Sequence, residues 1–213
     1  MAFSLIECHY IAAIDKMIER IMSNIFVKDL TGELWSDFEA YFEYKNKCSG
    51  CWCMNHRLPV GLNFDGEAAK LAMKQLIESN RVFGVLAYTK GDKIPIGWCA
   101  VDRRRTLPGH DCIEEGIACE ADEWSVHCIT TRDDYKNKGV ESTLVQAGIE
   151  LVKKNNGRSI EVYPEPNSSP NKAFKTWNTF NGYQSDFENM GFCRVDKDFG
   201  SREEFYFPMK NTL

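Results

Sequence analysis

The sequence predicts an α/β fold: a mixed, mostly antiparallel twisted sheet flanked by helices. Three observations predict it. Two apolar β-branched runs, RVFGVLAYT and IPIGWCAV, are joined by Lys90-Gly91-Asp92-Lys93, a hairpin turn signal. A strand, turn, helix and strand follow as EWSVHCITT, RDDYKNKG, VESTLVQAGIELVKKN and RSIEVYP, which reads as one buried crossover within the sheet. Segments with apolar residues at three- and four-residue spacing supply the helices that cover it.

Each element has its own warrant. Ile11, Ile14, Ile18 and Ile21 lie at helical spacing, so IAAIDKMIERIM is an amphipathic helix. NIFVKDL is short and β-branched, a first strand. In LTGELWSDFEAYFEY, Thr31 stands where it would cap a helix, and Leu34, Trp35, Phe38 and Phe42 share a side. A cysteine-rich loop with Gly50 follows. Asp65 then opens GEAAKLAMKQLIES, with Ala69, Met73, Leu76 and Ile77 on one face. After the hairpin, RRRTLPGHDCIEEGIACEAD is polar and irregular, long enough for a functional loop. The crossover helix should turn Val140, Leu144, Ala147 and Leu151 inward. PEPNSSPN reads as a loop, AFKTWNTF and YQSDFENM as helical segments, and GFCRVD and EEFYFPM as the last two strands.

Composition narrows the function. The 213 residues, 43% hydrophobic, suit one domain or one domain with an extension. No apolar run approaches the roughly 20 residues of a membrane span. MAFSLIECHYIAAIDKM has no basic leader, and Glu7 and Asp15 interrupt it, so no signal peptide is expected. Nine cysteines without an export signal imply a reducing cytoplasm and free thiols. A net charge of −5 argues against nucleic acid as a partner and mildly favours cationic small molecules.

The segment that carries chemistry is SVHCITTRDDYKNKGVESTLVQAGIELVKK. A strand ends, Tyr135-Lys136-Asn137-Lys138-Gly139 turns, and a helix begins. The start of a helix presents unpaired N–H groups and the positive end of its dipole, which suits phosphate. Gly139 admits a ligand close to the backbone, and Lys136 and Lys138 add charge. The residues alone allow an anion cradle, or an ordinary strand-to-helix turn with two solvated lysines.

With its flanks, the segment resembles the acetyl-CoA-binding motif of the GNAT family of N-acetyltransferases, Arg/Gln-x-x-Gly-x-Gly/Ala after a strand. Lys136 stands at the Arg/Gln position, Gly139 at the first Gly and Glu141 at the second small residue. IPIGWCAVDR looks like the family's third strand. IEVYP, a helical segment and FENMGF look like its fifth strand, the helix after it and the start of the "GF" strand. The words CWCM, GWCAV and IEVYP together resemble a bacterial subgroup whose acceptors are mostly undefined. The resemblance spans about Asn24 to Pro208. It implies a 24–213 acetyltransferase domain after a 1–23 helical extension, which could be a dimer contact between two copies or a lid on its own core.

The resemblance implies two central strands that splay apart, with the pantetheine arm of acetyl-CoA against Ile129, Thr130 and Thr131. The pyrophosphate would lie on the amides of Lys136, Asn137, Lys138, Gly139, Val140, Glu141 and Ser142. An amine of a small molecule or peptide would enter from the other side and attack the thioester directly. No metal is implied. Glu141 departs from the motif, and its side chain should point away from phosphate. The family often places a proton-donating Tyr four residues before the Gly of "GF"; here that residue is Phe187, which cannot donate. Tyr183, one helical turn earlier, is either the substitute donor or a packing residue, with solvent as the other proton source.

The attacking ammonium must lose a proton. Glu123, opening the central strand, is the candidate base, with Glu161 nearby in the fifth; a solvated strand end is the other reading of Glu123. His127 should face opposite to Val126 and Cys128, as a satisfied histidine more often than a base. Arg103 to Arg105 read as a solvated loop, a contact to the 3′-phosphate of CoA or a gate to the acceptor site. Glu141 and Phe187 keep open a second function, a CoA-binding or interaction module with weak or no catalysis.

KNKCSGCWCMNHR raises a third, a zinc or redox protein. Zinc ligands usually come as two pairs a dozen or so residues apart. Here Cys48, Cys51, Cys53 and His56 crowd one run, and Cys48 and Cys51 lack the setting of a thioredoxin site. Trp52, Cys53 and Met54 read instead as an apolar, polarisable wall on the acceptor side.

Overall fold

The computed structural model describes residues 24–45, 50–58, 65–108, 122–164, 184–194 and 209–213. The strands are β1 (Ile25–Asp29), β2 (Gly84–Thr89), β3 (Gly97–Arg103), β4 (Glu123–Thr131), β5 (Ser159–Val162), β6 (Cys193–Arg194) and β7 (Met209–Thr212). The helices are α1 (Trp35–Lys45), α2 (Gly66–Glu78), α3 (Val140–Lys154) and α4 (Gln184–Asn189). The strands form a seven-stranded sheet in the order β1-β2-β3-β4-β5-β7-β6. Only β4 and β5 run parallel among the described residues, and α3 is the crossover between them.

Helices on both faces explain why the central strands lack alternation. All six residues of β2 are buried, and eight of the nine in β4. One face packs against α3: Val140, Leu144, Val145, Ile149 and Val152 meet Val85, Cys99, Val101, Val126 and Ile129. A Cβ on Gly97 would lie 2.9 Å from Leu144 Cδ1, so the glycine sets how closely α3 approaches. The other face packs against α1 and α2: Phe38, Tyr41, Phe42, Ala69, Met73 and Ile77 meet Leu86, Trp98, Ala100 and Cys128. Trp98 is wholly buried there, edge-on to Phe38 at 5.1 Å. Each fully buried side chain of this size contributes about 1.5–3 kcal/mol, so both layers are needed to hold the sheet.

Some expectations change. Thr31 and Asp65 occupy cap positions, but neither side chain makes a capping bond, and a 3-10 turn, Gly32–Leu34, precedes α1. The last described strand is Met209–Thr212; the part of EEFYFPM before Met209 lies outside the described residues. The 1–23 extension and AFKTWNTF lie outside the described residues. Among the described residues no helix is long and apolar enough to cross a membrane.

Candidate active site

β4 and β5 are paired only at Glu123–Ser159, Trp124–Ile160 and Ser125–Glu161. β5 ends at Val162, whereas β4 continues to Thr131. A bulge starts just past the last pair: Val101 opposes Val126 and Ala100 opposes Cys128, leaving His127 as the extra residue. A bulge bends its strand, and beyond it β4 makes no further pair with β5 among the described residues. Ile129, Thr130 and Thr131 lie on this free length, with buried side chains and a backbone edge that has no strand partner on the β5 side among the described residues. Thr130 is tied to the opposite layer, its Oγ1 2.7 Å from the Tyr41 hydroxyl.

The turn after β4 is shaped by two left-handed residues. Asp133–Tyr135 forms a 3-10 turn, Asn137 has φ +58° and Gly139 φ +76°. Asn and Gly are the residues that adopt this conformation at least cost. Such residues, placed either side of Lys138, turn successive N–H groups toward one side. Gly139 is the N-cap of α3 and has no side chain to occupy the first amides of the helix, Val140, Glu141 and Ser142. The Ser142 and Thr143 hydroxyls donate to the Gly139 carbonyl, at 3.0 and 2.8 Å. Lys136 Nζ lies 2.9 Å from Asp133 Oδ1, and Lys138 Nζ donates to the Asp134 carbonyl at 2.6 Å. Both lysines are therefore engaged within the turn, and residues 133–141 carry three acidic and two basic side chains. The attraction for an anion comes from the backbone.

On the α1/α2 side, Trp52 (φ +46°) and Cys53 (φ +59°) are consecutive left-handed residues. Packing offsets that strain. The Trp52 ring stacks on Phe42 at 5.5 Å and on Trp35 at 6.4 Å, and Lys70 Nζ lies 5.1 Å above it. Trp98 Nε1 donates to Cys53 Sγ at 3.4 Å. Cys53 and Met54 are buried in this core, and Trp52 is half-buried at its margin.

Two polar clusters adjoin the split. Asp102, on the same face as Trp98 and Ala100, is 1% exposed and paired with Arg57; its Oδ1 accepts the Phe83 N–H at 3.1 Å. Burial pushes the Asp102 carboxyl up, opposed by the Arg57 charge and these bonds. His127 Nε2 lies 3.8 Å from Asp102 Oδ2, and its ring meets His56 edge-on at 5.4 Å. Burial, aided by the Arg57 charge, lowers His56 to about 4. In the second cluster, Arg104 Nη1 donates to Glu123 Oε2 and Glu161 Oε1, both at 3.2 Å. Lys210 Nζ donates to Glu123 Oε1 at 2.8 Å, and the Tyr163 hydroxyl to Glu161 Oε2 at 3.0 Å.

This architecture is shared with solved structures. An N-acetyltransferase from Staphylococcus aureus Mu50 superposes with a TM-score of 0.50 at 12% identity, covering 89% of this chain and 98% of its own. The NatC complex bound to Gag peptide and CoA gives 0.50 at 14%, covering 89% and 99%. The fold is that of the GNAT N-acetyltransferases. An uncharacterized protein from Bacillus halodurans also superposes, with a TM-score of 0.53 at 13% identity, covering 88% of this chain and 83% of its own. No protein-family model matches the chain, and no curated protein matches it in sequence.

Within the GNAT fold, Ile129, Thr130 and Thr131 sit on the splayed length of β4, and Lys136 to Ser142 on the turn and first turn of α3. Glu141 is partly exposed in that first turn. Glu123 lies at the closed end of the split with both oxygens in ion pairs. Tyr183 and Cys48 lie outside the described residues. Phe187 is 1% exposed and packs edge-on to Phe192 at 5.4 Å in the core on the α3 side. The loop reading of Arg103 to Arg105 gives way to a buried Arg104 and an Arg103 guanidinium 4.6 Å above the Trp124 ring. His127 shares a face with Cys128, because the bulge interrupts the alternation. Among the described residues no group of three His, Cys, Asp or Glu side chains is placed to hold a metal ion.

Proposed function

We propose that the protein is an acetyl-CoA-dependent N-acetyltransferase acting on a primary amine of a small molecule or peptide. The observation that carries this reading is the parting of β4 from β5 directly before a left-handed turn and an uncapped helix start. The residues fit the group: the free edge of β4 can pair with the amides of pantetheine, and the turn amides can receive the pyrophosphate. That the NatC structure, which shares this fold, holds CoA and a peptide supports the reading.

Acetyl-CoA supplies a thioester carbonyl and a thiolate leaving group. The neutral amine attacks that carbon, so a C–N bond forms and the C–S bond breaks. Ile129, Thr130 and Thr131 would hold the arm, and Lys136, Asn137, Lys138, Gly139, Val140, Glu141 and Ser142 the phosphates. Glu123 is the proposed proton acceptor for the ammonium, and Tyr183 or solvent returns a proton to the thiolate. Trp52, with Cys53 and Met54 behind it, is the proposed acceptor wall.

The test is calorimetric binding of CoA to the full chain, then thiol release from acetyl-CoA across a panel of polyamines, aminoglycosides, amino acids and peptides. Absence of CoA binding at millimolar concentration would sink the reading. Two observations favour a second one, a CoA-binding module with little turnover: Phe187 is a core residue, and both oxygens of Glu123 are ion-paired. Tight CoA binding with no thiol release on any amine would select it.

A further inference from the structure

We infer that Arg132 is a positioning residue for CoA: through Asp92 it locks the phosphate-binding turn to the β2–β3 hairpin. The inference rests on the reading of that turn as the CoA site.

Arg132 is the first residue past β4, and its side chain is 9% exposed. Its backbone N–H donates to the Ile96 carbonyl at 2.8 Å, which fixes the start of the turn to β3's approach. Its guanidinium then makes three bonds in two directions. Nε and Nη2 donate to the two oxygens of Asp134, at 3.1 and 2.6 Å, and Nη1 donates to Asp92 Oδ1 at 2.7 Å. Asp92 belongs to the hairpin turn. Its second oxygen accepts the Tyr135 hydroxyl at 2.5 Å and the Thr89 hydroxyl at 2.8 Å. The guanidinium also lies 4.7 Å from the Tyr44 ring centre and 5.2 Å from that of Tyr135. One hairpin carboxylate therefore holds both ends of the segment 132–135 that leads into the left-handed residues.

The fork has an electrostatic effect as well. Asp133 and Asp134 open the turn that is to receive a phosphate dianion, and either would repel it. Arg132 pairs with Asp134, and Lys136 with Asp133. A turn already fixed and neutralised gives up less entropy and meets less repulsion on binding. Arg132 fixes the turn and neutralises Asp134, and a lysine could not do both, because the two-directional fork needs the planar guanidinium.

Calorimetric titration of CoA into full-length wild type, Arg132→Met, Arg132→Lys, Asp92→Asn and the Arg132→Met/Asp92→Asn double variant tests this, with a urea midpoint for each. CoA affinity is expected to fall about tenfold in Arg132→Met and in Asp92→Asn, the size of one lost charge-assisted hydrogen bond. Arg132→Lys should fall less, and the double variant no further than the weaker single, since both cut one link. A purely structural role would lower the urea midpoint and leave CoA affinity unchanged in both singles; that result overturns the inference. If Arg132→Met does not fold, Tyr135→Phe decides: about two- to threefold weaker binding supports the lock, and unchanged binding refutes it. A wild type that binds no CoA defeats the site reading itself, and is told apart by the wild-type titration alone.

Discussion

Arg57 and Asp102 form an ion pair with side chains 6% and 1% exposed, joining the strained 50–58 segment to β3. Removing one member leaves the other charge buried and unpaired. Arg57→Met is expected to destabilise by about 3–5 kcal/mol in urea denaturation. Arg57→Met with Asp102→Asn should recover most of that loss, because the amide carries no charge to strand and still accepts the Phe83 N–H. Equal losses in the single and double variants would show that the pair is not the anchor.

His56 makes stability depend on pH. Its folded value is about 4, against an ordinary 6.5, through burial and then the Arg57 charge. Between these limits the unfolded chain takes up a proton that the folded chain refuses, so stability falls as pH falls from 6.5 to 4. The full effect is about 3 kcal/mol. Asp102, pushed up by its burial, works in the opposite sense, and His127 also faces this cluster. The measurement is therefore a difference: the pH slope of wild type minus that of His56→Gln, expected positive across this window.

Gly139→Ala places a Cβ at φ +76°. The unliganded protein should lose about 1–2 kcal/mol. CoA affinity should fall as well, since relief of the strain moves the amides of α3's first turn. Calorimetry and thermal unfolding on the same samples separate the two effects.

Glu123→Gln keeps the shape and removes the charge between Arg104 and Lys210. If Glu123 accepts the ammonium proton, kcat should fall by about 100-fold with KM for acetyl-CoA unchanged. A fall of less than about twofold would move proton acceptance to another group on this face.

Phe187→Tyr should not create a proton donor. The ring is buried against Phe192 in the α3-side core, and a hydroxyl without a partner there costs about 1–3 kcal/mol. Lower thermal stability with no gain in turnover is expected; a rate increase would show that the ring reaches the thioester.

The parts of the fold readable from sequence are those with long local patterns. The period of α3 is sustained over four turns, so Val140, Leu144 and Leu151 could be placed inward. The Lys90–Lys93 turn fixed β2 against β3. The strand–turn–helix word placed β4, the left-handed turn and the start of α3. What resisted reading depends on distant partners. Arg104 looked solvated because its neighbours are polar, but its partners Glu123 and Glu161 stand 19 and 57 residues away. His127 faces opposite to Val126, as alternation predicts, but shares a side with Cys128, because one bulged residue shifts a two-residue period. The left-handed backbone at Trp52 and Cys53 and the burial of Cys53 and Met54 have no signature in residue type.

The sheet divides the apolar side chains into two clusters, and each underlies a different half of the proposed chemistry. The cradle end of α3 rests on one, and Trp52, Cys53 and Met54 belong to the other. Substitutions that reshape the second leave the packing beneath the first turn of α3 intact. Under the proposed function, acceptor preference would drift on one side of the sheet while the donor side is held, and a library seeking new acceptors can be confined to α1, α2 and the 50–58 segment.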